Sequence, residues 1–320
     1  MGGEHSVVSR GRALSFPLEQ VELKLSWGED PQRNGGLEGY TLNSQYFGLA
    51  KEWQTLQKLF STLAKILAQH ESRLPKASWV NIESSIPIGS GLGSSAALGF
   101  ATANSLCAFF KTLDLNFKVP NSEDLARATL EGEKIYHQSP SGIDPFTVCL
   151  GRPLVFSKTP EIRYSFLDTQ FFKKKNLIFI LFPTGVSHNT REVQRRVSGL
   201  QARDPLIWGN LLDQLASNVE LMKKAIDLEN ENELGQIMND SHFRLAQLGV
   251  STESIDNQAN EIRRLPGILG AKITGAGCGG YLLGLFRSDE IPRELASRIL
   301  AKKNPWSFLS SKSLLSWSPP

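Results

Sequence analysis

Three glycines at alternate positions constrain this chain most. Residues 86–98 read Ile-Pro-Ile-Gly-Ser-Gly-Leu-Gly-Ser-Ser-Ala-Ala-Leu, with Gly89, Gly91 and Gly93 in the middle. The pattern predicts a strand over 79–86 before them and a helix to about residue 110 after them. Glycine lets a backbone take positive φ and come close to a ligand. A helix start offers unpaired N–H groups and the positive end of a dipole. Together they make a phosphate cradle, with Ser94 and Ser95 placed to add hydroxyls to a phosphate or a metal. Two other readings compete. A Gly/Ser-rich strand-to-helix turn serves as a tight turn with a serine cap. Gly91-Leu92-Gly93-Ser94-Ser95-Ala96 also fits the G-x-G-x-x-A dinucleotide pattern, with Asp114 downstream. The P-loop pattern fails, because no Lys-Ser/Thr follows a glycine at the required spacing.

A chain of 320 residues is long enough for two domains with their own cores. Its 35 basic and 32 acidic residues give a net charge of +3, which argues for neither nucleic-acid binding nor a polybasic membrane patch. No apolar run reaches the length of a membrane span, and the first residues lack a signal-peptide core. Met1-Gly2-Gly3-Glu4-His5-Ser6 satisfies the short myristoylation pattern, but these residues have a second use described below. Cys107, Cys149 and Cys278 are far apart; an odd count without CxxC spacing predicts reduced, buried thiols in a cytoplasmic protein. The five histidines show no zinc-ligand spacing.

Periodicity supplies the rest of the organisation. Val21, Leu23, Leu25 and Trp27 alternate with polar residues, predicting a half-buried strand over 18–27. A Gly/Asp/Asn-rich loop at 28–39 and an amphipathic helix at 44–70 follow. A helix is expected over 123–136, then short strands near 153–157, 162–167 and 176–183. Helices then dominate, at about 189–201, 206–228, 231–247 and 252–264. Strands near 268–274 and 280–287 precede a helix at 289–303, and the Ser-rich tail 307–320 reads as a last strand. Strands followed by helices, without regular βαβ alternation, predict two α+β domains, 1–172 and 173–320.

Three more groups carry chemistry. Lys272-Ile273-Thr274-Gly275-Ala276-Gly277-Cys278-Gly279-Gly280 is a second glycine-rich loop between strands. It is either a close-packed hairpin or, with the first loop, one of two backbone surfaces enclosing a polyanion. Glu131-Gly132-Glu133 and Ser141-Gly142-Ile143-Asp144 offer carboxylates of the kind phosphoryl transfer needs for Mg²⁺ and for the attacking hydroxyl. Glu133 is expected on a helix and Asp144 on the loop after it; a solvated helix face and an ordinary turn residue are the plainer readings. Asn189-Thr190-Arg191 suits a helix start, and His242 reads as a structural helix histidine.

In this order, the segments resemble the GHMP kinase superfamily, its mevalonate kinases most of all. Gly3-Glu4-His5-Ser6-Val7-Val8 looks like the first motif, Pro87 to Ala97 the phosphate-binding second, and Lys272 to Gly280 the third. Glu133 and Ser139-Pro140-Ser141-Gly142-Ile143-Asp144 match the surroundings of the family's metal-binding Glu and catalytic Asp. Asn189-Thr190-Arg191 resembles a segment that reaches the substrate, and His242-x-x-Leu245-x-x-Leu248-Gly249-Val250 a typical helix-to-loop segment. The resemblance covers nearly the whole chain. It implies an N-terminal domain like the second domain of ribosomal protein S5 and a ferredoxin-like C-terminal domain. It also implies transfer of the ATP γ-phosphoryl group to the 5-hydroxyl of mevalonate, in isoprenoid biosynthesis, and it allows a homodimer. By resemblance, Pro87, Gly89, Ser90, Gly91, Leu92, Gly93, Ser94 and Ser95 hold ATP, while Ser95 and Glu133 hold Mg²⁺. Asp144 is catalytic and, with Glu4, His5, Thr190, Gly275 and Ala276, lies at the substrate.

Three departures accompany the match. Relatives carry a Pro-Gly-Lys strand upstream of Gly-Glu-His, whereas this chain starts at Met1-Gly2-Gly3-Glu4; a misplaced start is the expected explanation. Pro145 follows Asp144 where many relatives have Asn, and Gly151-Arg152 replaces a Gly-Gly. The alternatives are another kinase of the superfamily, such as a phosphomevalonate kinase, a catalytically weak nucleotide-binding protein, and, more remotely, an NAD-dependent oxidoreductase.

Overall fold

The computed structural model describes residues 2–9, 11–19, 21–28, 50–68, 79–87, 90–137, 139–186 and 190–291, the side chains at 50–52, 79, 190 and 191 excepted. In chain order the elements are α1 (Ser6–Ser9), β1 (Arg12–Ser15), β2 (Leu23–Gly28), α2 (Ala50–Leu67), β3 (Trp79–Ser84), α3 (Ser94–Leu113), α4 (Ser122–Glu133) and α5 (Ile143–Leu150). Then come β4 (Leu154–Ser157), β5 (Arg163–Phe166), α6 (Gln170–Lys174), β6 (Leu177–Pro183), α7 (Thr190–Arg203), α8 (Pro205–Asp227), α9 (Glu231–Gln247), α10 (Glu253–Ile262), β7 (Ile268–Ile273) and β8 (Tyr281–Arg287). The expected loop at 29–39, the helix start at 44–49, most of the helix at 289–303 and the tail strand lie outside the described residues. None of the described helices is long and apolar enough to cross a membrane.

The chain forms two compact units. One comprises residues 1–20, 89–92 and 152–320; the other comprises 21–88 and 93–151. The first unit holds two antiparallel sheets, β1-β4-β5 and β6-β8-β7. The second sheet is buried on both faces, and its strands are accordingly mostly apolar, with Lys272 the exception inside β7. Along β6, Leu177, Phe179 and Leu181 enter one core with Leu283, Val219 and Met222. Ile178 and Ile180 enter the opposite core with Leu282, Leu212 and Ile255. That division is the two-residue period of a strand. A register shift between Ile268 and Gly270 sets Lys272 opposite Leu283, so this lysine shares the first of the two faces.

In the second unit, β2 pairs antiparallel with β3, and α2, α3, α4 and α5 pack together. Leu56, Leu59, Leu63, Leu106 and Phe110 are sealed from solvent there. α4 starts where Asn121 accepts hydrogen bonds from the N–H groups of Glu123 and Asp124, both at 2.9 Å, as an N-cap should. One expectation is corrected: Asp144 lies not on a loop but in the first turn of α5. Gly142, left-handed at φ 92°, caps that helix. Pro145 fits the first turn because the N–H it lacks would have had no helical partner. Arg152, another departure, stacks its guanidinium 3.8 Å from the centre of the Phe166 ring.

Candidate active site

The second unit builds a carboxylate cluster from two closely packed helices. A Cβ at Gly99 would come within 2.9 Å of Thr129 Cγ2, so glycine there lets α3 and α4 approach. One turn before Gly99 is Ser95, and one turn after Thr129 is Glu133. Ser95 Oγ donates to Glu133 Oε1 at 2.9 Å. His137 Nε2 lies 3.4 Å from the same hydroxyl. Gly93, left-handed at φ 72°, precedes α3 with no side-chain cap, and its Cα sits beside the Asp144 carboxyl.

Burial dominates the electrostatics of this cluster. Glu133 is only 4% exposed. Burial pushes its pKa up to about 8, with the Asp144 charge adding to the rise and the Ser95 hydrogen bond opposing it. Asp144 keeps an exposed edge, yet the protein crowds its carboxyl closely enough to raise its pKa too. Two carboxyls and a hydroxyl form a hard-oxygen donor set, and burial disfavours the charged form of both carboxyls. A small divalent cation that takes few protein ligands, such as Mg²⁺, suits that set. The uncapped N-terminus of α3 likewise suits a phosphate.

In the first unit, segments remote in sequence meet. Gly91 and Gly275 touch through their backbones: a Cβ on Gly275 would lie 2.7 Å from Gly91 Cα. Both have positive φ, 72° and 64°, so the contact admits glycine alone. Ser90 is buried, and Leu92 packs against the core containing Leu283. His5 Nε2 is 2.7 Å from the Ala276 carbonyl and therefore carries the proton. Lys272, fully buried, pairs with Glu4 Oε1 and donates to the Ile273 carbonyl at 2.8 Å. Burial is the largest single influence and raises the Glu4 pKa, but the Lys272 charge, the Lys272 hydrogen bond and smaller contributions together bring the net direction down.

Other candidates are placed as follows. Pro87 is half-buried at the loop entrance, and Ser94 is the first residue of α3. Gly89 and Asn189 lie outside the described residues, and Thr190 opens α7 without a described side chain. His242 is buried and accepts from the Ile273 N–H through Nδ1 at 3.1 Å. Burial, then the Arg263 charge, pushes its pKa down to about 4, so it is a neutral strut under β7. Sequence reasoning passed over His137 and gave Lys272 no role. His137 had a signal, four residues after Glu133; Lys272 had none, since its partner is 268 positions away.

Residues 56–152 match the family described as GHMP kinases N terminal domain, and residues 222–305 match GHMP kinases C terminal. The chain belongs to the GHMP kinase family. As a GHMP kinase it is an ATP-dependent small-molecule kinase with an α+β fold. It is 31% identical to the mevalonate kinase of Aeropyrum pernix, over 92% of this chain and 88% of that protein. With the mevalonate kinase of Pyrococcus abyssi it shares 32% identity, over 93% and 88%. Among solved structures, L. major mevalonate kinase in complex with R-mevalonate superposes with a TM-score of 0.68 at 22% identity, covering 96% of this chain and 90% of that one. Streptococcus pneumoniae phosphomevalonate kinase gives 0.70 at 14%, covering 95% and 92%. These two superpositions speak for the fold of this GHMP kinase.

Proposed function

We propose that this GHMP kinase is a mevalonate kinase, transferring the γ-phosphoryl group of ATP to the 5-hydroxyl of mevalonate in isoprenoid biosynthesis. The observation that carries the substrate assignment is identity of about 30% to mevalonate kinases along nine-tenths of the chain. The cluster of Ser95, Glu133 and Asp144 supports the chemistry. Residues 87–95 cradle the ATP phosphates with backbone N–H groups. Ser95 and Glu133 hold Mg²⁺, which when bound neutralises phosphate charge. Asp144 takes the proton as the hydroxyl oxygen bonds to the γ-phosphorus. ADP leaves with the electron pair of the broken P–O bond. Positioning and electrostatic stabilisation supply most of the rate in such reactions. Glu4, His5, Thr190 and the Gly275–Ala276 turn bind the acceptor.

The test is ADP release with a panel of mevalonate, phosphomevalonate, other hydroxy acids and sugars. Mevalonate should give the highest kcat/KM, with activity lost on chelation and restored by Mg²⁺. A higher kcat/KM for any other acceptor overturns the substrate assignment.

A further inference from the structure

Lys272 is the largest charged side chain sealed inside the described residues, at 0% exposure. Taking an ammonium group out of water costs several kcal/mol unless charge and hydrogen bonds compensate it. Glu4 and the Ile273 carbonyl do so. Their partner is less well served. Glu4's side chain is nine-tenths buried, and its second oxygen, Oε2, is buried with no hydrogen-bond partner among the described residues. A buried carboxylate oxygen left without a donor is costly, and it is rare enough to need an explanation. His5, the adjacent candidate, cannot supply the donor from Nε2, which is turned to the Ala276 carbonyl.

We propose that Lys272 is a positioning residue: it fixes Glu4 by Oε1, so that Oε2 stays free as acceptor for a hydroxyl of the phosphoryl-acceptor substrate. The inference rests on the kinase reading and adds the group that sets the state of Glu4. The geometry divides the work between the two oxygens. Oε1 is satisfied internally, and Oε2 is satisfied only when a donor arrives. An ionised carboxylate accepts and never donates, so the site favours a hydroxyl and disfavours another anionic oxygen in that place. The charged groups acting on Glu4 are Lys272 and, more weakly, the chain's amino group. Lys272 in turn faces His242, whose imidazole is held neutral.

Lys272→Met removes the counter-charge and leaves burial to push Glu4 toward its protonated form, which no longer accepts at both oxygens. KM for mevalonate should rise by about tenfold to hundredfold, the range for one hydrogen bond to a charged group, while KM for ATP stays within about twofold. The ratio of variant to wild-type kcat/KM should climb with pH as Glu4 re-ionises. Taking the ratio cancels the titrations of Glu133 and Asp144. Lys272→Arg should keep the ratio flat, and so should the double variant E4Q/K272M. A pH-independent ratio for Lys272→Met, or an equal loss for ATP, overturns the proposal.

A second measurement needs no folded variant at position 272. In wild-type protein labelled with ¹³C at the glutamate carboxyls, the Glu4 resonance is the one missing from Glu4→Gln. It should titrate below the usual glutamate range and shift when mevalonate is added, and not when ATP is added. Titration above that range, or no response to saturating acceptor, overturns the proposal. If wild-type enzyme prefers another hydroxylated acceptor, the substrate assignment fails. The same ratios measured with that acceptor still decide the role of Lys272.

Discussion

Glu4 and Glu133 are both glutamates nearly sealed from water, yet the protein treats them in opposite ways. Glu4 brings its own cation: Lys272 lies against it, and its pKa falls below the ordinary value. Glu133 is placed near a second carboxyl instead, and its pKa rises to about 8. Burial acts on both in the same direction, so the neighbour decides the sign. The charge of Glu4 is therefore balanced as the chain folds, although its Oε2 still lacks a donor. Glu133 remains electrostatically unfinished, which suits a group whose counter-charge arrives with the nucleotide.

The sharpest way to break this contrast is at Asp144. Asp144→Asn should lower kcat on the order of 10²-fold or more, the scale of losing a group that acts in the transition state. ATP affinity, measured by calorimetry, should change little. Near-normal kcat in this variant would remove Asp144 from the proton transfer.

A smaller effect tests the cation. Glu133→Gln should raise the Mg²⁺ concentration for half-maximal activity by about tenfold or more, and Ser95→Ala by only a few-fold, since a neutral hydroxyl gives the weaker interaction. Magnesium titrations of kcat check both. Unchanged titrations would place the metal elsewhere.

The smallest effect is on the stability of metal-free protein. Folded Glu133 has its pKa raised from 4.5 to about 8, so between those values the folded state holds a proton that the unfolded state has lost. Stability therefore falls as pH rises through this window. His242 acts the other way: its pKa is lowered from 6.5 to about 4, so its contribution grows with pH and is complete near 6.5. From there to pH 8 the falling contribution comes from the two carboxyls with raised pKa, Glu133 and Asp144. With chelator present, Tm should drop by about a few degrees over that interval. Glu133→Gln should reduce the drop, and Mg²⁺ should oppose it. A flat wild-type profile would mean that Glu133 is ionised without help.

The same contrast explains what could be read from the chain alone. α3 and α4 were legible because their signals are local: alternating glycines ahead of a serine pair for α3, and a helical run for each. Asp144 reads as a loop residue because Ser-Gly-x-Asp looks like a turn. In the structure Gly142 caps a helix and Pro145 occupies its first turn. α1 and β1, four residues each, are too short for periodicity to reveal. The match to the three family motifs pointed to the candidate site, but the pairing inside it was hidden. The closeness of Ser95 to Glu133 depends on a missing methyl at Gly99, and that of Glu4 to Lys272 on the register of β7.

That last pairing also bears on how the molecule is made. Glu4 and Lys272 are 268 residues apart, so on the ribosome the glutamate emerges long before its lysine. Until β7 has been synthesised, packing the turn at Glu4 into the core would strand a charge there. The opening segment thus has an energetic reason to wait in water, and long-range closure of this kind is slow. If Glu4 binds the acceptor as proposed, that recognition is among the last properties the nascent chain acquires, and a product truncated before residue 272 would keep Ser95, Glu133 and Asp144 while leaving Glu4 without its counter-charge.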